Sequence, residues 1–232
     1  MPMAIRTFDE LKGIKEEIQT LNARKKIRKF FDEMELPEDK KEKRTDLALR
    51  FYHEMSAFLI TMSTFLAQRA VTDIEGIIVS YDIDEADISA YIAELVNKFN
   101  ETLEDMEIPQ DVITGLQNHI YDSSESIVRT TFDKPNDYNL SSDRAELIAE
   151  TETNVEGNYE DFLEAIADGY TSKTWVTMRD KKVRKTHKDA DGQTVGIFDT
   201  FKVGDTEMRF PLDWEYGTPE EIISCRCVLE YS

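Results

Sequence analysis

Through most of the first 130 residues, apolar side chains recur every three or four positions. Leu47, Phe51, Met55, Phe58, Met62 and Phe65 step along residues 45–69 in this way and predict one long amphipathic helix. Phe8, Leu11, Ile14, Ile18 and Leu21 predict another before it, and the charged stretch ELPEDKKEKR at 35–44, with Pro37, marks the break and the next helix start. Ile88, Ile92, Leu95 and Phe99 form a third face behind Asp84, a residue type that caps helix N-termini. Pro109 suits the first turn of a fourth helix, with Val112, Leu116 and Ile120 inward. The connector FDKPNDYNLSSD at 132–143 ends on a Ser-Ser-Asp cap signal. The helix it launches carries Leu147, Ile148, Thr151, Val155, Phe162 and Ile166 and stops at Gly169.

Beyond Gly169 the period shortens. KTWVTM, TVGIFDTFKV, EMRFPL and SCRCVLEY are short runs rich in Val, Thr and aromatics, separated by Asp-Gly, Gly-Asp and Gly-Thr. They predict short antiparallel strands packed on the preceding helix. The fold class is therefore α+β, with a helical part over 1–140 and a small α+β module over 141–232. Residues 174–195 read as strand, turn, strand, with Asp191 and Gly192 in the turn.

Charge narrows the range of partners. Forty-eight acidic and 28 basic residues leave a net charge of −20, a field that repels nucleic acid and anionic membranes as a whole. Only a local contact with DNA is compatible with it. Arg179, Lys181, Lys182, Arg184, Lys185 and Lys188 provide the one basic cluster, and Lys181, Lys182 and Lys185 are the candidates for weak phosphate contact. The most apolar stretch, 55–70, is interrupted by Ser and Thr and closes on Gln68 and Arg69, which suits a buried helix rather than a bilayer. No signal peptide is expected at the N-terminus. Cys225 and Cys227 are too close in sequence to bond to each other without strain, so a reducing compartment is expected.

Candidate chemistry is sparse. The chain contains no G-x-S-x-G, G-x-G-x-x-G, P-loop or H-E-x-x-H. His187, followed by Asp189 and Asp191, could centre a small hydrolase or nuclease, yet no partner set accompanies it. In a strand, Cys225 and Cys227 would share one face with Arg226 opposite. With His187 and an aspartate, either Asp180 or Asp213, they form a candidate tetrahedral zinc set, although C-x-C falls outside the usual C-x₂₋₄-C spacing. A buried pair of free cysteines is the competing reading.

The order of these residues carries a resemblance. It runs Arg144, AETE ending at Glu152, Gly169, Lys173, Trp175, Arg179 and Asp180, Val183 and Arg184, His187, Asp191 and Gly192, Phe201, Pro211, Leu212 and Asp213, then EIISCRC. This resembles the phage Mu F-like head morphogenesis family, the minor capsid proteins of tailed bacteriophages, over about residues 141–232. The resemblance implies a noncatalytic virion protein made in few copies in the bacterial cytoplasm. It would lie inside the head near the portal, with portal, scaffold and major capsid proteins as partners, and act in assembly and in DNA packaging or delivery. It further implies that Arg144, Glu152, Trp175, Asp180, Arg184, Asp191, Gly192 and Arg226 hold a small fold together, with no cofactor beyond a structural zinc on Cys225, Cys227, His187 and Asp213. Residues 1–140 carry no such likeness and are a candidate docking region. Ser224 stands where the family usually has Asn.

Overall fold

The computed structural model describes residues 8–232, with side chains from Gln19 onward. Helix α1 (Phe8–Asp32) and helix α2 (Glu38–Arg69) form an antiparallel hairpin, with Pro37 at the residue before α2. Arg24 reaches Glu42 and Asp46, and Arg28 reaches Glu38 and Glu42, which fixes the register of the two helices. The side chains of Phe8, Leu11, Ile14 and Ile18 lie outside the described residues. Leu21, expected to continue their stripe, is 52% exposed; the buried face of α1 runs instead through Ala23, Ile27 and Phe31. On α2, Leu47, Phe51, Met55, Phe58 and Met62 are buried as their spacing predicts.

The first half is not helix throughout. The chain leaves α2 at once into β1 (Ala70–Thr72), turns, and returns as β2 (Ile78–Tyr81). Asp73 builds the turn by accepting hydrogen bonds from the backbone N–H groups of Glu75 and Ile77, both 2.9 Å, and Gly76 supplies a φ of +81°. The β-branched run Ile77, Ile78 and Val79 favours strand over helix and overrides the helical reading of this segment. Val71, Ile74, Ile77, Ile78 and Val79 are all exposed.

Asp84 and Asp87 close a reciprocal capping box on α3 (Glu85–Asp105). Helix α4 (Gln110–Asp133) follows Pro109. Ser141 caps α5 (Ser142–Ala167), accepting from the N–H of Arg144 at 3.2 Å, and Gly169 ends the helix with a φ of +81°. Helix α5 packs along α2 and is the element on which the remaining chain is laid.

Three antiparallel strands follow in the order β4 (Thr194–Gly196), β3 (Ser172–Val176), β7 (Val228–Tyr231), and β5 (Phe201–Val203) pairs with β6 (Thr206–Met208). The 174–195 stretch departs from the expected strand–turn–strand. After β3 it loops and makes one and a half turns of helix, α6 (Lys185–Ala190), before the Asp191–Gly192 turn. His187 and Ala190 are both buried, and a separation of three places both inward on a helix but on opposite faces of a strand. A last short helix, α7 (Pro219–Ile222), precedes β7.

The expected boundary at residue 140 falls within a shared core. Leu47, Phe58, Leu95 and Leu116 belong to the same buried cluster as Ala149, Trp175, Phe201, Cys225 and Cys227. A second cluster joins Ile27, Phe31 and Met34 to Val176 and Val228. Lys173, on β3, is buried with its ammonium over the Phe162 ring at 4.6 Å and the Phe201 ring at 5.5 Å; burial brings it down to about 8.

One buried acid makes stability depend on pH. Glu156, on α5, is 3% exposed and its Oε1 has no hydrogen-bond partner. Burial, aided by the charge of Glu160, pushes its carboxyl up to about 8. Between the ordinary carboxylate range and pH 8 the folded chain therefore holds a proton that the unfolded chain has released, so stability falls as pH rises through that window. We expect Glu156→Gln to remove much of that slope and to stabilise the chain at pH 8 by about 2 kcal/mol. Urea unfolding of both chains at pH 5 and pH 8 checks it; parallel pH dependences would refute the assignment.

Candidate functional site

Three elements bring His187, Cys225 and Cys227 together. Helix α6 turns His187 inward, where its ring meets the edge of Trp175 from β3 at 5.7 Å. Residues 225–227 lie just before β7 rather than within a strand. Both sulfurs point to one side, and Arg226 leaves on the other to bridge Glu33 at 2.8 Å and Asp180 at 2.8 Å. The Nδ1 atom of His187 lies 3.3 Å from the Cys227 Sγ and 3.6 Å from the Cys225 Sγ. The three ligand atoms all lie within 4.8 Å of one another.

These separations fit a zinc ion. A tetrahedral centre with Zn–S near 2.3 Å and Zn–N near 2.0–2.1 Å separates nitrogen from sulfur by about 3.6 Å. The histidine presents one ring nitrogen to each side of the cluster. Its Nε2 stands 2.9 Å from the Glu221 carboxylate, and its Nδ1 faces the two sulfurs. Thr186 donates to the same Glu221 oxygen at 2.8 Å and fixes it in turn. Burial opposes ionisation of Cys225, but hydrogen bonds from Cys227 and His187 outweigh it and bring this thiol down. Cys227, whose thiol is hydrogen-bonded to that sulfur and buried, is held up. A dication bound there would favour the thiolate form of both cysteines.

Asp213 does not join the cluster. Its carboxylate is fully buried and taken side-on by the guanidinium of Arg209, at 2.9 and 2.8 Å. Asp180, the other aspartate considered, is bound to Arg226. Among the described residues the cluster has three ligands, and its outer side faces a small depression bordered by Met178, Val183, Arg184 and Ser224.

Other sequence-marked residues surround this point. Asp191 accepts from the N–H of Thr177 at 2.8 Å and from Arg179 at 3.0 Å. The N–H of Gly192, at a φ of +80°, donates to the Trp175 carbonyl at 2.8 Å. Arg184 donates to the Ile223 carbonyl. Of the basic cluster, Arg179 and Lys182 are paired, the latter with Glu33 at 2.9 Å, whereas Lys181, Lys185 and Lys188 are exposed without an ion pair among the described residues. Arg144 and Glu152 lie elsewhere, on the α4–α5 face. Arg144 ties α5 to Thr131 and to the Ile127 carbonyl of α4, and Glu152 is bound by His119 at 2.7 Å and Ser123 at 2.6 Å.

Two supporting residues escaped the sequence reading. The Asn154 amide donates to the Cys225 carbonyl at 2.8 Å, and its own oxygen receives Arg44 from α2 at 2.5 Å. This relay connects the first helical hairpin to the His/Cys cluster. Neither residue lies in a local motif, so only the three-dimensional packing reveals them.

A family model described as Phage Mu protein F like protein matches residues 97–230. The chain belongs to this family. The match begins well before residue 141 and takes in the end of α3 and all of α4, the helix that supplies two of the three acceptors of the Arg144 guanidinium. Comparison with curated proteins and with solved structures finds no match. Membership makes this Mu F-like chain a protein of phage head morphogenesis. Among the described residues, no helix is long and apolar enough to cross a membrane.

The departure at Ser224 acquires a physical meaning here. Ser224 has a φ of +59°, a left-handed conformation that asparagine tolerates better than serine. Ser224→Asn is expected to stabilise this Mu F-like chain by about 0.5 kcal/mol. A matched pair of denaturant melts tests this, and a destabilised variant would contradict it.

Proposed function

We propose that this Mu F-like chain is a noncatalytic minor component of the phage head, carried in few copies inside the head near the portal. Its partners in this reading are the portal, scaffold and major capsid proteins, and its work is assembly together with DNA packaging or delivery. The observation that carries the noncatalytic part is the state of His187. The ring is 2% exposed, one nitrogen is held by Glu221 and the other faces two sulfurs. A general base needs a free nitrogen within reach of substrate, and this one has none. The hydrolase and nuclease alternatives receive no support from the geometry.

In the same reading, His187, Cys225 and Cys227 hold a structural zinc. Bound there, the ion would supply a cross-link between α6 and the segment leading into β7, with Glu221 orienting the histidine. The exposed ammonium groups of Lys181 and Lys185 are the groups that would touch packaged DNA, weakly, against the negative field of the whole chain.

Quantitative mass spectrometry of purified virions and of assembly intermediates tests the proposal. A few copies per particle, lost when the portal is deleted, are expected. Absence from every particle would overturn it, and copy numbers unchanged without a portal would remove the portal assignment.

A further inference from the structure

A groove of about 450 Å³, open to solvent, runs between α4 and α5 and is walled on its third side by residues of the 214–223 segment. The two helices are antiparallel here, because His119 meets Glu152 while Ile127 and Thr131 meet Arg144. The floor between is apolar, formed by Ile127, Leu147, Ile148, Trp214 and Ile222. Ile223 stands on the rim, 45% exposed.

The ends of the groove differ in charge. Glu152 and the exposed Asp122 lie at one end, beside His119. Arg144 lies at the other, 7% exposed and with no carboxylate in ion-pair reach among the described residues. Its Nη1 donates to Thr131 Oγ1 at 2.5 Å and to the Asn139 carbonyl at 2.8 Å, and its Nη2 donates to the Ile127 carbonyl at 3.2 Å. Among the described residues no acceptor meets Nε or the second Nη2 hydrogen, the edge that grips a carboxylate or paired carbonyls side-on.

We infer that this groove receives an α-helix of a partner protein, lying with its N-terminal end at Glu152 and its C-terminal end at Arg144. Residues 144 and 152 of α5 are about 12 Å apart along the helix axis, the length of two helical turns. An apolar floor of that length suits anchors at i, i+3, i+4 and i+7. The dipole of such a helix places its positive end at the acids and its negative end, with the free last carbonyls, at the unpaired edge of Arg144. A second copy of this chain is disfavoured because two bodies of charge −20 repel. The occupant is therefore a neutral or basic protein with lysine or arginine near the first turn of the docked helix. The inference does not depend on a position near the portal.

The test uses the purified full chain and two synthetic amphipathic helices of about 12 residues, enough to fill two to three turns. One carries lysines in its first turn and glutamates in its last; the other has the same composition with the charges reversed. By fluorescence anisotropy the first is expected to bind at least about tenfold more tightly. Asp122→Lys, an exposed change, should shrink or invert that preference, and Ile148→Lys should abolish binding of both peptides. If Ile148→Lys fails to fold by circular dichroism, Asp122→Lys still decides. Equal affinities, no binding up to about 1 mM, a preference untouched by Asp122→Lys, or self-association of the chain through this face would overturn the inference. None of these outcomes bears on whether the protein is found in virions, so the two ideas fail separately.

Discussion

Replacing Cys225 and Cys227 together with serine is expected to release one equivalent of zinc per chain and to lower the unfolding midpoint by about 10 °C, corresponding to a loss of about 4 kcal/mol in a chain of this size. The argument rests on where the sulfurs sit. His187 belongs to α6 and the cysteines to the run into β7, and between them the chain passes through β4, β5, β6 and α7. An ion on all three ligands therefore closes a long loop from inside the core, where both cysteines and the histidine are at most 3% exposed. Without the ion, the same serines would be two small polar substitutions at sites already hydrogen-bonded, costing about 1–2 kcal/mol. Elemental analysis and calorimetry of the native and double-serine chains, each with and without a strong chelator, separate these cases. The native chain should fall toward the variant when chelated, and the variant should not respond. A native chain free of metal and indifferent to chelator would remove zinc from the account and leave a thiol–imidazole cluster.

The second large effect is expected at Arg44, far from the cysteines in sequence. Arg44→Ala should cost about 3 kcal/mol. Its guanidinium is 3% exposed and is divided between Asn154 and Asp161 at 2.7 Å, so truncation leaves buried acceptors on α5 without their donor. Asp161 keeps Lys40 as a partner, which holds the cost below that of a fully orphaned charge. Asn154 loses the contact that orients its amide toward the Cys225 carbonyl. A double-mutant cycle between Arg44→Ala and Asn154→Ala should then show a coupling of more than about 1 kcal/mol, whereas independent sites add. Gly157 provides a second check, because a Cβ there would stand 2.4 Å from Arg44 Nε and push the guanidinium away. Additive energies in the cycle would show that the relay is a coincidence of packing.

Much of the α+β fold was legible because its long helices bury a face of regular period. Phe51, Phe58, Leu95 and Leu116 sit inward for the reason their spacing suggests. The hairpin at 70–81 was not legible, since its strands are exposed and show no alternation between apolar and polar positions. Helix α6 was hidden for the opposite reason: six residues are too few to display a period, and the flanking strands coloured the reading. In the candidate site, His187 and the two cysteines could be singled out by residue type alone. The aspartate could not, because nothing in composition shows that Arg209, four residues earlier, already holds Asp213. Glu221, the carboxylate that does touch the histidine, lies 34 residues from it and belongs to no local motif.

The contact between the first helical hairpin and β7 also sets a timetable. Arg226 pairs with Glu33 across 193 positions of chain, and Val228 beside it covers Ile27, Phe31 and Met34. On a ribosome adding 5–20 residues per second, that face is covered first by Ala48 of α2 and then by Val176 of β3, and its last cover, Val228, arrives roughly 10–40 s after Glu33 is made. During that interval the nascent chain is most open to capture by chaperones or by its neighbours on the same message.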